Sequence, residues 1–571
     1  MPSPELPEVI MSEQFKVNST NLNLRAQPSA SPGNIITTLP KGQIVTKIQV
    51  AIPNEDWSKV STIISGNHVE GFVNHEFLAS IDGSLYGIVA NDQTLTLNQL
   101  SGNKQLVLEV QTKLRNLGFY PGGQWLDGIL GNNASRTRKG LNRFCSELGI
   151  SPPTAQNAID PTMAKALLEK QQVPSVLEQA NDQASVFAKL ADIQANTPIL
   201  NGSYAYLDRS IKNSPFESEI KNFPTYLAQQ PDGINLVSYG DAFSLPNSGR
   251  TVTFGEYPSL GKVPEIDQTG LEFLDGSIGN ACVCVGSFGQ DNDIIKAHWL
   301  GRKSFAPVQF LSSTKFIAVL NSISQLNKRF PNSDIDNCAV GGGASSKRYS
   351  FPSLVEDMVT YKNKIAGSNS IAAMMKRFSS RKGLEDWTKS ITGSQSIEFR
   401  GGYGADPFID APVLFDTTLP NNQIVLKSAP LVGSGSNFVT AYDLTRLISM
   451  IGWHLHLPSA ARLPDSQWSC LESVVRAMGL DKARYIDVAL ETLGLVNVVN
   501  NSVIISKLGL GNSALTYVAF ASFVDVRHSP PRLRTISMAL WTSPLPNVTR
   551  DNRMASAVTE IIRRIFTEEL A

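Results

Sequence analysis

The sequence predicts a multidomain protein: a small β-barrel, then a three-helix domain, then a large α/β domain with an antiparallel sheet flanked by helices. Three observations predict it. The chain has 571 residues, several times what one core organises at about 100–200 residues per domain. Short apolar–polar alternations separated by turn residues run from about 15 to 80 and give way to a helical period after 105. From 196 onward strand-like and helix-like segments share one long stretch.

Composition narrows the function classes. Apolar residues make up 42% and charged residues 18%, as in ordinary globular domains. The formal net charge is +0, so no nucleic-acid partner is expected. No run of about 18 apolar residues predicts a transmembrane segment. The N-terminus MPSPELPEVIMSEQ has neither a basic run nor an apolar segment and does not read as a secretory signal. Five cysteines, an odd and sparse set, do not form a disulfide framework. Cys282 and Cys284 share one face of a strand and read as core, because no second Cys or His pair lies nearby to complete a metal site. His454 and His456 read as structural. No cofactor and no metal is called for.

In residues 15–80 the runs IITTL, QIVTKIQV, WSKVSTI and EGFVNHEFL alternate between turns at Pro28, Pro32, Gly33, Gly42, Pro53 and Gly66, which predicts short strands closing a small barrel. With Leu22, Leu24, Arg25, Gly42, Trp57, Gly71, Phe72 and Val73 in place, this segment resembles a bacterial SH3 (SH3b) domain. The resemblance implies binding of peptide or of peptidoglycan cross-bridges. Trp57 and Phe72 either contact such a ligand or fill the small core.

Residues 81–104 are polar and irregular and read as a linker. Over 105–170, Leu106, Val110, Leu114 and Leu117 recur on one helical face, and Gly118 suits a left-handed helix end. Gly118, Phe119 and Tyr120, the turn of Asp127, Gly128 and Gly131, Phe144, and Ile159 with Asp160 opening a third helix together resemble a peptidoglycan-binding domain of the three-helix type. Residues 171–195 predict a connecting helix, and 196–571 the large α/β domain.

That last domain carries the chemistry. CVCVGSF and DIIKAHWL predict a strand pair, after which Ser312-Ser313-Thr314-Lys315 opens a helix with Phe316, Val319, Leu320, Ile323 and Leu326 on one face. Ser312 falls in the first turn, where the helix dipole favours developing negative charge. Lys315 follows three residues later on the same face. A serine hydroxyl needs a base within reach, and a lysine serves only if burial populates its neutral amine.

Two further segments follow in order: GSNSIAAMMKRFSSRKGLEDW, with Ser368, Ala372, Ala373, Gly383, Leu384 and Trp387, and SKLGLGNS, with Lys507 and Gly509. NFVTAYDLTRLISMI supplies another helix, and DNRMASAVTEIIRRIFTEEL closes the chain with Met554, Val558, Ile561, Ile562, Ile565 and Phe566 on one face. In this order the segments resemble the serine β-lactamases and penicillin-binding proteins of the D-alanyl-D-alanine carboxypeptidase type, over about 280–571.

The resemblance implies roles. Ser312 attacks an acyl carbon and Lys315 takes its proton. Ser368 relays a proton to the leaving amine, and Lys507 supplies positive potential. Ser370, Gly509 and Gly511 lie on the substrate, with the amides of Ser312 and of Gly511 or a near neighbour as the oxyanion hole. Two positions depart from the pattern. Ser370 stands where the family has Asn, and Leu508 stands where it has a hydroxyl that helps bind a substrate carboxylate; these mark either altered specificity or lost activity. The Glu-x-x-x-Asn that activates water in class A β-lactamases is missing; Glu398 in IEFRGGYG is the nearest substitute, and little rapid β-lactam hydrolysis is expected.

The function expected is a peptidoglycan-targeted serine acyl hydrolase or transferase, carboxypeptidase- or esterase-like, acting on peptide stems or a related ester or amide. The alternatives are a catalytically degenerate binding or scaffold protein, and a glutaminase or esterase of the same superfamily. Domain content points to the cell envelope or the exterior. The N-terminus, with no signal, points instead to the cytoplasm or to another export route.

Overall fold

The computed structural model describes residues 14–570, apart from 50–55, 65, 81–83, 91, 118, 120–125, 133–134, 154–156, 170–183, 185, 187, 189, 191–203, 230, 247, 290–293, 344–345, 431–433 and 529. The chain divides into two compact units, Met1–Val173 and Pro174–Ala571.

In the first unit, seven antiparallel strands form one sheet in the order Ile35–Pro40, Asn21–Arg25, Asn67–Asn74, Trp57–Ile64, Ile44–Gln49, Gln14–Val17, Leu78–Ser80. Alternate residues point inward, so Leu22, Leu24, Val60 and Val73 close a core with Phe15, Val17, Leu39, Val45 and Leu78. Trp57 and Phe72 are half-buried and stand outside that core. Gly71 is required by a close approach: a Cβ there would meet Arg25 O and Leu24 Cγ at 2.8 Å.

The expected linker 81–104 is corrected by the structure. Helices Leu85–Ala90 and Leu97–Gly102 occupy it, the second opened by a capping box between Thr96 and Gln99. Leu85, Ile88, Leu97 and Leu100 are buried with Leu106, Val110 and Leu114, so these residues belong to the helical core. The helices Lys104–Asn116, Arg136–Leu148 and Pro161–Glu169 follow, and the two earlier helices share their core. Gly128 and Gly131 take φ of 69° and 68°, the left-handed region that the Asp-Gly-x-x-Gly turn needs. Asp160 caps the helix Pro161–Glu169 through Met163 N at 2.8 Å, and Ile159 lies in a short strand instead. Gly118, Tyr120 and most of 171–195 lie outside the described residues.

The second unit is a three-layer α/β structure. Its antiparallel sheet runs in the order Gly255–Glu256, Ile295–Arg302, Ile278–Phe288, Arg532–Thr542, Leu515–Asp525, Val499–Leu510. Alternation splits each strand between two cores: Cys282, Cys284, Val503 and Ile505 face one side, and Val283, Val285, Ile504 and Leu508 the other. On the second side lie helices Tyr485–Thr492 and Asn547–Phe566, the latter burying the six apolar residues expected of it. On the first side the helix Lys315–Arg329 sits among Phe351–Thr360, Ser368–Met375, Arg381–Thr392, Ala441–Gly452 and Trp468–Gly479, and is buried from Lys315 through Ser324. All five cysteines are buried and unpaired.

Candidate active site

The turn that carries Ser312 is built from a strained residue and two locked neighbours. Leu311 holds φ at 52°, a left-handed conformation that L-residues avoid at a cost of roughly 1–2 kcal/mol. Leu311–Thr314 is a tight 3-10 turn, and the α-helix proper begins at Lys315, whereas the sequence places its opening at Ser312. Ser313 Oγ bonds Lys507 O and Thr516 Oγ1, both at 2.9 Å. Thr314 Oγ1 donates to Leu311 O at 2.9 Å and meets Tyr403 OH at 3.0 Å. Between them Ser312 stays partly exposed and lines a cleft of ≈ 400 Å³.

Lys315 lies beneath it, fully buried, its backbone N–H bonded to Ser312 O. Its Nζ contacts Ser368 Oγ at 2.8 Å and Asn369 Oδ1 at 2.7 Å. Burial first, then the neighbouring Lys507 charge, pulls its pKa down to about 6. A neutral amine gives its two N–H groups to those two oxygens and keeps one lone pair.

Lys507 lies on the sheet face turned to this helix, and its ammonium donates to the Tyr361 hydroxyl and to Leu508 O, the latter at 3.1 Å. Burial lowers its pKa to about 8, against the opposing pull of the Asp481 carboxylate. Asp481 itself accepts from Ser506 Oγ at 3.0 Å and Leu508 N at 2.9 Å. Gly509 lets this strand touch the reactive turn: a Cβ there would stand 2.7 Å from Phe310 O and 3.0 Å from Ser313 N.

Tyr361 is the residue that sequence reasoning missed. It ends the helix Phe351–Thr360 in a left-handed conformation, φ 58°, which swings its side chain toward the strand. The hydroxyl accepts from Lys507 and donates to Leu508 O at 2.9 Å. Burial, helped by the Asp481 charge and opposed by the Ser312 side chain, holds the phenol well above its ordinary pKa, so it keeps its proton. The available signal is the string Tyr361-Lys362-Asn363, an aromatic hydroxyl one helix before the serine chosen.

The structure places Ser368, Ser370 and Gly511 as follows. Ser368 is buried, gives its proton to Met358 O at 2.6 Å and accepts from Lys315 Nζ, and the hydroxyl bonded to Lys507 is that of Tyr361. Ser370 does not line the cleft, because the start of its helix turns Asn369 there instead. Gly511 donates its N–H to Ala514 O at 3.0 Å across the hairpin turn. The alternation that sends Leu508 N outward to Asp481 sends Leu510 N outward as well, and Leu510 lines the cleft beside Ser312. Glu398 accepts from Ser436 N at 2.8 Å and does not line the cleft.

The far wall consists of two glycine-bearing loops. Arg400 N and Gly401 N reach Ser436 O at 2.9 and 3.1 Å, and Asn437 Nδ2 reaches Gly402 O at 2.9 Å. Lys376 pins both loops, donating to Gly401 O at 2.9 Å and Asn437 Oδ1 at 2.8 Å, 3.6 Å over the Phe399 ring.

Residues 20–79 match the family model described as a bacterial SH3 domain. No curated protein matches the chain. Similar solved structures include a β-lactamase from Sphaerobacter thermophilus, 12% identical with a TM-score of 0.32, covering 52% of this chain and 96% of that one. The TLA-3 extended-spectrum β-lactamase is 12% identical with a TM-score of 0.32, over 52% of this chain and 97% of its own. A variant of PBP-A, as an acyl-enzyme complex with penicillin G, is 11% identical with a TM-score of 0.33, over 54% and 99%.

Proposed function

We propose that the second unit is a serine acyl hydrolase or transferase with Ser312 as nucleophile, and that the first unit tethers it to peptidoglycan or its peptide stems. One observation carries the catalytic reading: a cleft-facing serine one turn before a buried lysine whose pKa is lowered to about 6 and whose two N–H groups already have acceptors. In the reaction Ser312 Oγ forms a bond to the acyl carbon while its proton passes to the Lys315 lone pair. The amides of Ser312 and Leu510 receive the oxyanion. As the carbon–heteroatom bond breaks, the leaving group takes a proton from Tyr361, which is replenished from the protonated lysine. Water, or an acceptor amine or hydroxyl, then attacks the acyl-serine and restores Ser312. Lys507 supplies positive charge that steadies Tyr361 as its proton moves.

The tether reading draws on the bacterial SH3 domain at residues 20–79. Among the described residues no helix is long and apolar enough to cross a membrane. A second reading, a degenerate binding protein, draws on Leu508, which gives the cleft no hydroxyl. A neutral fluorophosphonate followed by mass spectrometry separates the two. Labelling of Ser312 in the intact protein, lost in Ser312→Ala and strongly slowed in Lys315→Met, is the expected outcome; an unreactive Ser312 overturns the enzyme reading.

A further inference from the structure

Few ionisable groups line the cleft. Its polar side chains are Gln309, Asn369, Ser436, Asn437 and Tyr403, beside Ser312 itself; the rest are glycines and leucines. No Lys, Arg, His, Asp or Glu is among the described lining residues. The flank along the lysine strand is apolar: Leu311 and Leu510 face the cleft, and Leu510 is 39% exposed.

The nearby cations do not change this. Lys507 is fully buried, with its Nζ 4.1 Å over the Tyr361 ring and bonded to the Tyr361 hydroxyl. Its charge is opposed by Asp481, which sits on the same strand through Ser506 and Leu508. Lys376 spends its donors on Gly401 O and Asn437 Oδ1. The residue after the strand lysine, Leu508, turns its side chain into the opposite core, with Ile504, so it adds no hydroxyl to that of Tyr361, which already meets the ammonium and donates its own proton to Leu508 O. A carboxylate entering here would shed water and find neutral amides and two leucines, and an unpaired charge in such a place is expensive.

We propose that the cleft selects acyl donors with no carboxylate beside the scissile bond, that is neutral esters or amides, and discriminates against carboxylate-bearing ones such as C-terminal dipeptides or penicillins. The selection rests on the reading of Ser312 as nucleophile. Acylation is the step described above: Oγ–acyl bond formed, carbon–oxygen or carbon–nitrogen bond broken, and the serine proton delivered to the departing atom.

The test uses a matched pair on the intact protein: benzylpenicillin and its methyl ester, which differ only in the ionised carboxylate. The fluorophosphonate serves as an independent report on Ser312. Where the fluorophosphonate labels Ser312, the methyl ester should acylate it at least about tenfold faster than the free acid, the scale of one unpaired buried charge. Equal rates, a faster acid, or no acylation by either compound with Ser312 still reactive overturns the selectivity. An inert Ser312 overturns the nucleophile reading instead. A second arm replaces Leu510→Lys, which should raise the acid relative to the ester by about tenfold; an unchanged ratio counts against an uncharged flank as the cause.

Discussion

At Lys315 the protein holds an amine where water cannot stabilise its charge. The pKa of about 6 follows from burial first and from the Lys507 charge second. As a base it works when unprotonated, so acyl transfer should rise with pH through about 6. Lys507 works when charged, and its pKa of about 8 sets the fall on the alkaline side. The pH dependence of kcat/KM on a neutral ester should therefore be a bell with limbs near those two values. A profile flat across the acid limb would remove Lys315 from the base role. The Tyr361 hydroxyl is bonded to Lys507, and Tyr361→Phe removes that hydroxyl while keeping the ring under Lys507. Its kcat/KM should fall by about 10²–10⁴-fold, the scale of a lost proton-transfer group. Ser368→Ala, which touches Lys315 but not the cleft, should cost less than Tyr361→Phe in the same assay; the reverse order would restore Ser368 to the relay.

Two elements meet at Gly509. The strand Val499–Leu510 lies against the Leu311–Thr314 turn so closely that a methyl group would press on Phe310 O at 2.7 Å and Ser313 N at 3.0 Å, both backbone atoms. Gly509→Ala should thus shift the turn, lowering the acylation rate by about 10²-fold with a stability loss of roughly 1–3 kcal/mol; stopped-flow labelling and thermal melts read the two separately. The same meeting explains what was legible. The helix of Lys315 and the strand of Lys507 each announce themselves locally, one by apolar residues at helical spacing behind Ser-x-x-Lys, the other by a β-rich run around Lys-x-Gly. Tyr361 does not, because its reach depends on a left-handed helix end that tyrosine rarely adopts. A serine at the head of the next helix, Ser368, therefore drew the assignment. Between Gly511 and its near neighbours, hairpin register and not spacing decides which N–H faces out. The wall of Gly401, Gly402 and Asn437 is two loops with no period to read, joined by Lys376 only after folding.

Over the whole molecule, each unit closes its own cores. Residues 15–167 fill the two cores of the first unit, and residues 186–570 fill the two on either side of the large sheet. Every side chain placed around Ser312 belongs to the second group. The half-buried Trp57 and Phe72, with the Arg25 guanidinium 6.0 Å from the Trp57 ring centroid, belong to the first. Separate cores make separate stability, since distant sites with no shared partners act additively. Residues 174–571 expressed alone should melt cooperatively and turn over a small neutral ester with kcat/KM within about twofold of the full chain. On purified peptidoglycan the outcome should invert: residues 1–173 should sediment with the wall material, and residues 174–571 should stay in solution. Retention of 174–571 equal to that of the full chain would place wall binding in the catalytic cleft, and the N-terminal domains would then need another ligand.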